Sequence, residues 1–389
     1  MPNLLILTVG TGTAGRQSNI AAGLRRTIEL TTPRAFWLVP STSEDSLLVA
    51  DLVRDGLASF IPVSSSIPYT AVAAPDDLES CRQTLRAVIQ RARAQLRPGE
   101  KLLINPTSGT KQMTAAATLA ALDEGLGDIS FTVGDRADGV VITGTERLTS
   151  FDPASFFRER DLAQARHAAE LGAYAAAERL LAPHRALLPR EHATTECLKH
   201  WLRQDYAAAA SAAARFDDTL RRHLKQLEAD TAANLPTPAI LADLLAWAGH
   251  HHRLGDADAS LNLAYKTVEL AGRLRLHERT GLLPPYRLEA TDQWEILPEL
   301  KARFRQIGRN GSVFLGLTQT MQALDQMGDA LGHDFQTDPR YFYASQARNE
   351  LTHAIAPVSS AQSQRLLDLA RNLIEGHISL PAPFPRPRP

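Results

Sequence analysis

The chain contains few cysteines, no excess of either charge and no long hydrophobic run. Two cysteines occur in 389 residues, without a Cys-x-x-Cys spacing, which excludes a disulfide framework and a cysteine zinc site and favours a reducing cytoplasm. Lys and Arg number 42 against 43 Asp and Glu. The chain is therefore not expected to bind long nucleic acid through its overall charge, and any RNA contact must be local. No stretch reaches the ~18 apolar residues of a membrane span, and no Lys or Arg precedes the first apolar run, so neither membrane insertion nor secretion is expected.

Short apolar runs alternate with helical patterns up to about residue 147. The runs are "NLLILTV", "AFWLVPS", "SFIPVSS", "KLLINPT", "DISFTVG" and "VVITG". Strands that alternate with helices indicate βαβ units, a mostly parallel sheet covered on both faces, and ligand loops at the carboxyl ends of the strands. We therefore predict an α/β, Rossmann-like domain over residues 1–150.

The rest of the chain is helical in pattern. From about residue 155 it is rich in Ala, Leu and Arg, and segments such as "AAELGAYAAAERLL" and "WLRQDYAAAASAAA" resemble degenerate helical hairpins without a regular period. We predict an all-α linker domain over residues 151–283, ended by the proline-containing stretch "RTGLLPPYRLEATDQWEILPEL". Amphipathic helices then predict an all-α domain over residues 284–379, and the proline-rich tail, residues 380–389, is expected to be disordered.

A glycine loop follows the first predicted strand. The stretch "LTVGTGTAG" contains Gly10, Gly12 and Gly15 in a Gly-x-Gly-x-x-Gly pattern, which offers backbone N–H groups to a phosphate but is also compatible with a simple tight turn. A nicotinamide site also needs an acidic residue at the end of the second strand, about 20 residues on. That strand ends in "WLVPSTS" without an acid, so an oxidoreductase is disfavoured.

A second group of hydrogen-bond donors follows the predicted strand "LLIN". Its members are Asn105, Thr107, Ser108, Gly109, Thr110 and Lys111. Hydroxyls, a glycine and a lysine at a helix N-terminus can hold phosphates or ribose oxygens, and the two loops could face one shared ligand. The Walker A spacing is missing, so nucleotide hydrolysis with Mg²⁺ is not implied. An ordinary capped helix is the alternative.

The stretch "QARNELTHA" places Arg348, Asn349 and His353 in an Arg-x-x-x-x-His pattern. On a helix, positions five apart lie about 140° apart around the axis, so Arg and His share one broad edge. Arg supplies a permanent positive charge and His exchanges protons near neutral pH. With a ribose 2′-hydroxyl as nucleophile, the pair suffices for metal-independent RNA cleavage. The alternative is a solvated helix face.

Taken in order, these features resemble the CRISPR-associated CARF/HEPN ribonucleases of type III systems. "NPTSGTKQM" is similar to the Asn-x-Thr-Gly-Gly-Thr-Lys signature of the CARF sensor, with Ser108 where glycine is commoner. "RNELTH" matches the HEPN pattern of Arg, a polar residue, three variable residues and His. The resemblance covers the whole chain and implies a CARF domain, a helical linker and a HEPN ribonuclease domain.

The resemblance also implies partners and residue roles. Family members are homodimers that bind one cyclic oligoadenylate, here cyclic tetra- or hexa-adenylate, between two CARF domains and cleave single-stranded RNA at a site shared by two HEPN domains, without a metal cofactor. Arg348, Asn349 and His353 are the expected catalytic residues. The expected ligand contacts are Gly10, Thr11, Gly12, Thr13, Asn105, Thr107, Ser108, Gly109, Thr110 and Lys111, although Asn105 could instead brace its loop. Two other functions stay open: a ring nuclease or sensor with the helical half as scaffold, and a helical-repeat interaction protein.

Overall fold

A computed structural model describes residues 4–11, 15, 17–57, 69–137, 140–142, 144–341 and 358–388. The chain divides into two compact units, Met1–Arg160 and Asp161–Pro389. The division falls inside a helix, Ala154–Glu170, and is later than the expected end of the first domain at residue 150. We describe each unit by itself.

The N-terminal unit contains a mixed sheet. Its strands are β1 Leu4–Val9, β2 Ala35–Pro40, β3 Leu102–Asn105, β4 Ile129–Val133, β5 Arg136–Ala137, β6 Val140–Val141 and β7 Arg147–Phe151. Its helices are α1 Gln17–Thr31, α2 Glu44–Gly56, α3 Leu78–Arg93 and α4 Lys111–Asp123, and α5 Ala154–Glu170 begins in this unit and ends in the second. The main sheet has the order β2-β1-β3-β4-β7, in which the first four strands are parallel and β7 is antiparallel to β4.

The central strand β1 shows why the sheet is covered on both faces. All six of its residues are buried, and successive side chains of a strand point to opposite faces. Leu4 and Ile6 pack into a core with side chains of α3 and α4, whereas Leu5 and Leu7 pack into a second core with side chains of α1 and α2. A continuous apolar run, rather than an alternating one, is what a strand between two helical layers requires.

The strands near the end of this unit differ from the expectation in extent and number. The stretch "VVITG" contributes only β6, which pairs with β5 in a separate two-stranded sheet. The edge strand β7, with the sequence "RLTSF", was missed because its side chains are mostly exposed and show no apolar alternation. The predicted strand "SFIPVSS" lies outside the described residues.

The second unit is helical apart from one pair of short strands, as far as the described residues show. Its helices are α6 Tyr174–Leu181, α7 Pro189–Leu202, α8 Tyr206–Ala213, α9 Asp218–Ala232, α10 Pro238–Arg253, α11 Ala257–Thr280, α12 Leu288–Thr291, α13 Pro298–Ile307, α14 Leu317–Gln326, α15 Ala330–Thr337 and α16 Ser360–His377. The strands β8 Tyr286–Arg287 and β9 Ser312–Val313 are antiparallel. Gly172, Gln204 and Gly255 each adopt a positive φ two residues before a helix begins, which explains the recurring turn pattern in the sequence.

Helix α10 joins two hydrophobic cores. Trp247 packs with α6–α9, whereas Leu241 and Leu245 pack with α11 and with helices from α13 to α16. Helices on both sides of residue 283 therefore share one core, and the expected boundary between residues 283 and 284 does not separate compact units.

The C-terminal tail packs against the helical unit, in contrast to its expected disorder. The Phe384 ring stacks on His223 with 4.9 Å between ring centroids, and the Arg386 guanidinium lies 4.4 Å from the centroid of Trp247. Arg386 also donates a hydrogen bond to the Ala246 carbonyl at 2.9 Å. Repeated prolines disfavour a regular helix or strand in the tail, but they do not prevent an aromatic and an arginine side chain from docking on a tryptophan surface.

The buried Asp243 and the partly exposed His250 in this region have pKa values that are displaced in opposite directions. The Asp243 carboxylate accepts hydrogen bonds from Trp201 Nε1 at 3.0 Å and from the Tyr206 hydroxyl at 2.9 Å. Burial raises its pKa from 3.8 to about 6. Burial, and then nearby arginines, lowers the pKa of His250 from 6.5 to about 4. Both groups therefore titrate in the folded state within the acidic range.

We expect Asp243→Asn to change how stability depends on pH. Between about pH 4 and 6, folded Asp243 binds more protons than unfolded Asp243, so its contribution to stability falls as pH rises. Folded His250 binds fewer protons than the unfolded residue, so its contribution rises with pH and opposes that of Asp243. Without Asp243, the free energy of unfolding should rise more steeply from pH 4 to 6.5 than in the wild type.

Urea unfolding at several pH values, followed by tryptophan fluorescence, measures this difference. Asp368→Asn, at an exposed position on α16, is the matched control and should follow the wild type. Parallel pH profiles for Asp243→Asn and the wild type would contradict the prediction.

The two cysteines are fully buried, one in each unit. Cys81 lies on α3 and Cys197 lies on α7, and both are 0% exposed. Burial raises the pKa of both thiols, that of Cys197 to about 12. Neither thiol is therefore a reactive thiolate in the folded protein.

Candidate functional site

The loops that follow β1 and β3 meet at one edge of the sheet. The two strands are parallel neighbours, with Leu7 beside Asn105, so their carboxyl ends open onto the same edge. The Gly10 N–H donates a hydrogen bond to Ser108 Oγ at 3.0 Å. A Cβ at Gly10 would lie only 2.7 Å from the Gly109 nitrogen, so the loops meet this closely only because residue 10 is glycine. The structure thus brings together the two predicted donor loops.

Helix α4 begins at the second loop. Thr110 is its N-cap, because the Thr110 hydroxyl accepts a hydrogen bond from the Met113 N–H at 3.1 Å. The same hydroxyl donates to the Pro75 carbonyl at 2.6 Å. Gly109 has φ +129°, a conformation that side chains rarely adopt, and Lys111 is exposed in the first turn. The loop therefore holds the N-terminus of a helix, with its positive dipole end, next to Gly10.

A series of buried hydrogen bonds holds the loop that follows β3 in place. The Asn105 side chain is 1% exposed, donates to Thr132 Oγ1 at 3.0 Å and accepts from the Thr107 N–H at 3.1 Å. The Thr107 hydroxyl accepts from the Thr132 N–H at 2.7 Å, and the Thr132 hydroxyl is 2.8 Å from that of Thr27. Of the two roles considered for Asn105, the structure shows the bracing one.

A cavity of about 410 Å³ lies beside the two loops. Six of the predicted ligand residues line it: Gly10, Thr11, Thr107, Ser108, Gly109 and Thr110. Asn105 and Lys111 are not in the lining, and Gly12 and Thr13 lie outside the described residues. The volume is within the range of small-molecule sites.

The cavity also has lining residues that the sequence reasoning missed. On α1, Asn19, Gly23 and Thr27 follow one another at intervals of four, which places them on one face of the helix. That spacing of small and polar residues was a usable signal. Glu146 also lines the cavity, but it lies between β6 and β7, in a stretch with no recognisable motif.

Glu146 is a buried carboxylate at the cavity wall. It is 8% exposed, and its Oε2 accepts a hydrogen bond from the Gly144 N–H at 2.6 Å. Its Oε1 has no hydrogen-bond partner in the described part of the chain.

The predicted catalytic residues Arg348, Asn349 and His353 lie outside the described residues. Among the described residues that precede them in the chain, the His333 ring on α15 is 3.1 Å from an Asp325 oxygen. Tyr341 stacks on Phe335 with 5.6 Å between ring centroids. On the side that follows them, α16 begins with a capping box formed by Ser359 and Gln362.

Three consecutive histidines, His250–His252, lie in the last turn of α10. The three side chains do have separate partners: His250 is 3.0 Å from the Tyr174 hydroxyl, His251 is 3.0 Å from Asp256 and His252 is 3.3 Å from Ser363. Each is only partly exposed. Within the residues that the structure describes, three or more His, Cys, Asp or Glu side chains nowhere come together as a metal site.

No described helix combines the length and hydrophobicity that crossing a membrane requires.

Comparison with known proteins supports the resemblance found in the sequence. Residues 229–377 match a family model described as the Csm6 HEPN domain. This part of the chain is Csm6-like. A solved structure, "Enterococcus italicus Csm6 bound to cyclic hexa-2'-fluoro-hexa-dAMP", is similar with a TM-score of 0.58 and 13% identity, over 97% of this chain and 94% of that chain. No curated protein sequence matches.

The comparison with Csm6 has two consequences for the fold. At this low identity the structural likeness shows that the chain shares the fold of Csm6 along nearly its whole length. The HEPN match begins at residue 229, inside α9 and well before the boundary expected at residue 284, in agreement with the core that α10 and α11 share with the later helices. The match also spans the three predicted catalytic residues.

Proposed function

We propose that this protein is an endoribonuclease of type III CRISPR antiviral defence, activated by a cyclic oligoadenylate and acting on single-stranded RNA. The observation that carries the proposal is the Csm6 HEPN match over residues 229–377, which includes the "RNELTH" motif. The near-neutral charge of the chain suits a short RNA segment held by a few cationic groups rather than a long nucleic acid. The two buried cysteines suit a cytoplasmic protein.

In this proposal the N-terminal unit is a Rossmann-like CARF sensor, and two copies of the chain pair to enclose one ring. The joined loops and the N-terminus of α4 present N–H and hydroxyl groups to an anion, which suits the phosphates of the ring. The Enterococcus italicus protein is bound to a ring of six adenine nucleotides, which supports a ligand of that class. We assign contacts to Gly10, Thr11, Gly12, Thr13, Thr107, Ser108, Gly109, Thr110 and Lys111, with Asn105 as a brace.

The proposed cleavage is an internal transesterification. The ribose 2′-oxygen attacks the neighbouring phosphorus and the 5′-oxygen leaves, so the products carry a 2′,3′-cyclic phosphate and a 5′-hydroxyl. His353 takes the proton of the 2′-hydroxyl or supplies one to the leaving oxygen. Arg348 stabilises the charge that develops on the phosphate, and Asn349 orients the RNA backbone. The mechanism needs no metal ion.

Activation requires that the ring favours the active form of the dimer. The ring and the RNA bind in different domains in this proposal, so the ring must bind the active arrangement more tightly than the inactive one. Reciprocally, RNA that binds the active arrangement should tighten the binding of the ring.

The test is cleavage of a fluorescent single-stranded RNA in EDTA, with no ring, with cyclic tetra-adenylate and with cyclic hexa-adenylate. We expect cleavage with one of the rings and products that carry a 2′,3′-cyclic phosphate. A strict requirement for added Mg²⁺ would contradict the mechanism. If RNA stays intact while the ring is degraded, the protein is a ring nuclease; if both stay intact, a scaffold or interaction protein is favoured.

A further inference from the structure

Another cavity, of about 730 Å³, lies within the helical unit and is rich in basic side chains. Four arginines from three parts of the chain line it: Arg166 of α5, Arg253 at the end of α10, and Arg386 and Arg388 of the C-terminal tail. The described lining contains one carboxylate, that of Glu170, whose exposed side chain lies 3.8 Å from His167 Nδ1. Positive charge is therefore in excess around this arginine cavity.

The contacts of the tail hold two of these arginines at the cavity. The Arg386 guanidinium lies 4.4 Å from the centroid of Trp247 and donates a hydrogen bond to the Ala246 carbonyl at 2.9 Å. Arg388 follows after Pro387, whose ring fixes its own φ angle and so stiffens the connection. The charge of Arg388 is therefore delivered to the cavity by a docked segment.

Two of the four arginines have no counter-charge. Arg253 and Arg388 are exposed, and neither side chain forms a hydrogen bond or an ion pair with another described residue. Burial, and then the nearby arginines, lowers the pKa of His250 to about 4, so this lining residue is neutral near pH 7 and adds no charge. Like charges gathered without counter-charges repel each other, and a bound anion relieves that repulsion.

The helix dipole accounts for only part of this arrangement. Arg253 lies in the last turn of α10, where a cation is favoured by the negative end of the dipole. That argument does not explain why α5 and the tail bring Arg166, Arg386 and Arg388 to the same cavity. A shared anionic ligand explains all four positions.

A phosphate group is the anion that this cavity suits best. The planar guanidinium of arginine binds phosphate oxygens through paired N–H donors, and the volume of about 730 Å³ is within the range of small-molecule sites. Because the chain as a whole is nearly neutral, any RNA contact must come from a local group of cations such as this one. Arg253 also lies within the Csm6 HEPN match.

We propose that Arg166, Arg253 and Arg388 bind the phosphate backbone of the single-stranded RNA substrate, with Arg386 holding the tail in position. This inference rests on the proposed function and goes beyond it by assigning a substrate-binding site to residues apart from the "RNELTH" motif. Contacts with phosphates position a nucleic acid without reading its bases, so the site should bind RNA of any sequence.

Removing two of the charges should weaken RNA binding and its dependence on salt. We compare the full-length wild type with a variant that carries both Arg253→Gln and Arg388→Gln, two exposed positions. The affinity for RNA should fall by about tenfold, and the slope of log affinity against log salt should decrease by about 1.4, since each phosphate contact of a single strand contributes about 0.7. A variant with lysine at both positions should keep most of the affinity, because lysine also contacts phosphate.

Fluorescence anisotropy of a labelled 2′-O-methyl RNA, measured over a range of salt concentrations, gives both quantities. This RNA lacks the free 2′-hydroxyl that the proposed cleavage requires, so it stays intact. The matched control carries Arg190→Gln and Arg303→Gln, which remove the same charge at exposed positions outside the cavity lining. The control should bind like the wild type.

Cleavage kinetics with unmodified RNA and a saturating activating ring distinguish substrate binding from catalysis. In the variant with both glutamines, the KM for RNA should rise by about tenfold while kcat stays within a few-fold of the wild type, because the catalytic motif is unchanged. A loss confined to kcat would contradict a role in substrate binding.

The other outcomes are also distinguishable. If the variant with both glutamines binds RNA like the control, with the same salt slope, the arginines do not contact the substrate and the inference is overturned. Calorimetry with tripolyphosphate then shows whether the cavity takes a free phosphorylated molecule instead, by binding that the wild type has and the variant lacks. If the wild type neither binds nor cleaves RNA, the proposed function is itself wrong and the inference falls with it.

Discussion

His353→Ala is expected to lower the rate of ring-activated RNA cleavage by about a thousandfold while ring binding stays unchanged. A positioned general acid or base contributes about a hundredfold to ten-thousandfold to a rate, and alanine can neither accept nor supply the proton. His353 lies five residues after Arg348, within the Csm6 HEPN match, whereas the predicted ligand contacts lie in the N-terminal unit. The catalytic loss should therefore be separate from binding.

Single-turnover cleavage at saturating ring, together with calorimetric binding of the ring, measures both effects. His333→Ala is the matched control, because this histidine on α15 is exposed and lies 3.1 Å from an Asp325 oxygen. We expect the control to keep a cleavage rate within a few-fold of the wild type. A His353→Ala variant that still cleaves at a similar rate would exclude this residue from catalysis.

Gly10→Ala is expected to weaken ring binding by up to about a hundredfold. The added Cβ would lie 2.7 Å from the Gly109 nitrogen and 3.0 Å from the Gly109 Cα, and both are backbone atoms that cannot rotate away. The two loops must separate, at a free-energy cost of about 1–3 kcal/mol for overpacking, and the hydrogen bond from Gly10 to Ser108 lengthens. The donors that suit the phosphates then lose their common geometry.

The ring concentration needed for half-maximal RNA cleavage separates this effect from a catalytic one. It should rise for Gly10→Ala, while the rate at saturating ring recovers because the HEPN domain is intact. Gly127→Ala is the control, since a Cβ at this position meets nothing within 4 Å. Unchanged ring affinity in Gly10→Ala would show that the contact between the loops does not shape the ligand site.

The candidate site was predictable where polar residues follow a buried strand directly. The loops at Gly10 and Ser108 come straight after β1 and β3, and parallel neighbours bring their ends together. Glu146 could not be predicted in the same way, because its position depends on the hydrogen bond to Gly144 in a stretch without a periodic pattern.

The limits of the fold prediction have similar causes. The sequence of β7 shows no apolar alternation because most of its side chains are exposed. The strand forms through its pairing with β4. The tail around Phe384 has a composition typical of disorder, and only the aromatic surface formed by other helices makes it dock. Both features depend on partners distant in sequence, which local pattern does not encode.

The buried thiols allow the local opening of each unit to be followed separately. Cys81 and Cys197 are the two cysteines of the chain, and each lies in the core of a different unit. An alkylating reagent reaches Cys81 only when α3 leaves the sheet, and reaches Cys197 only when the helices around α7 come apart. The two alkylation rates, read on separate peptides by mass spectrometry, therefore rank the two units by their resistance to opening, and a ring that binds the N-terminal unit alone should slow the modification of Cys81 first.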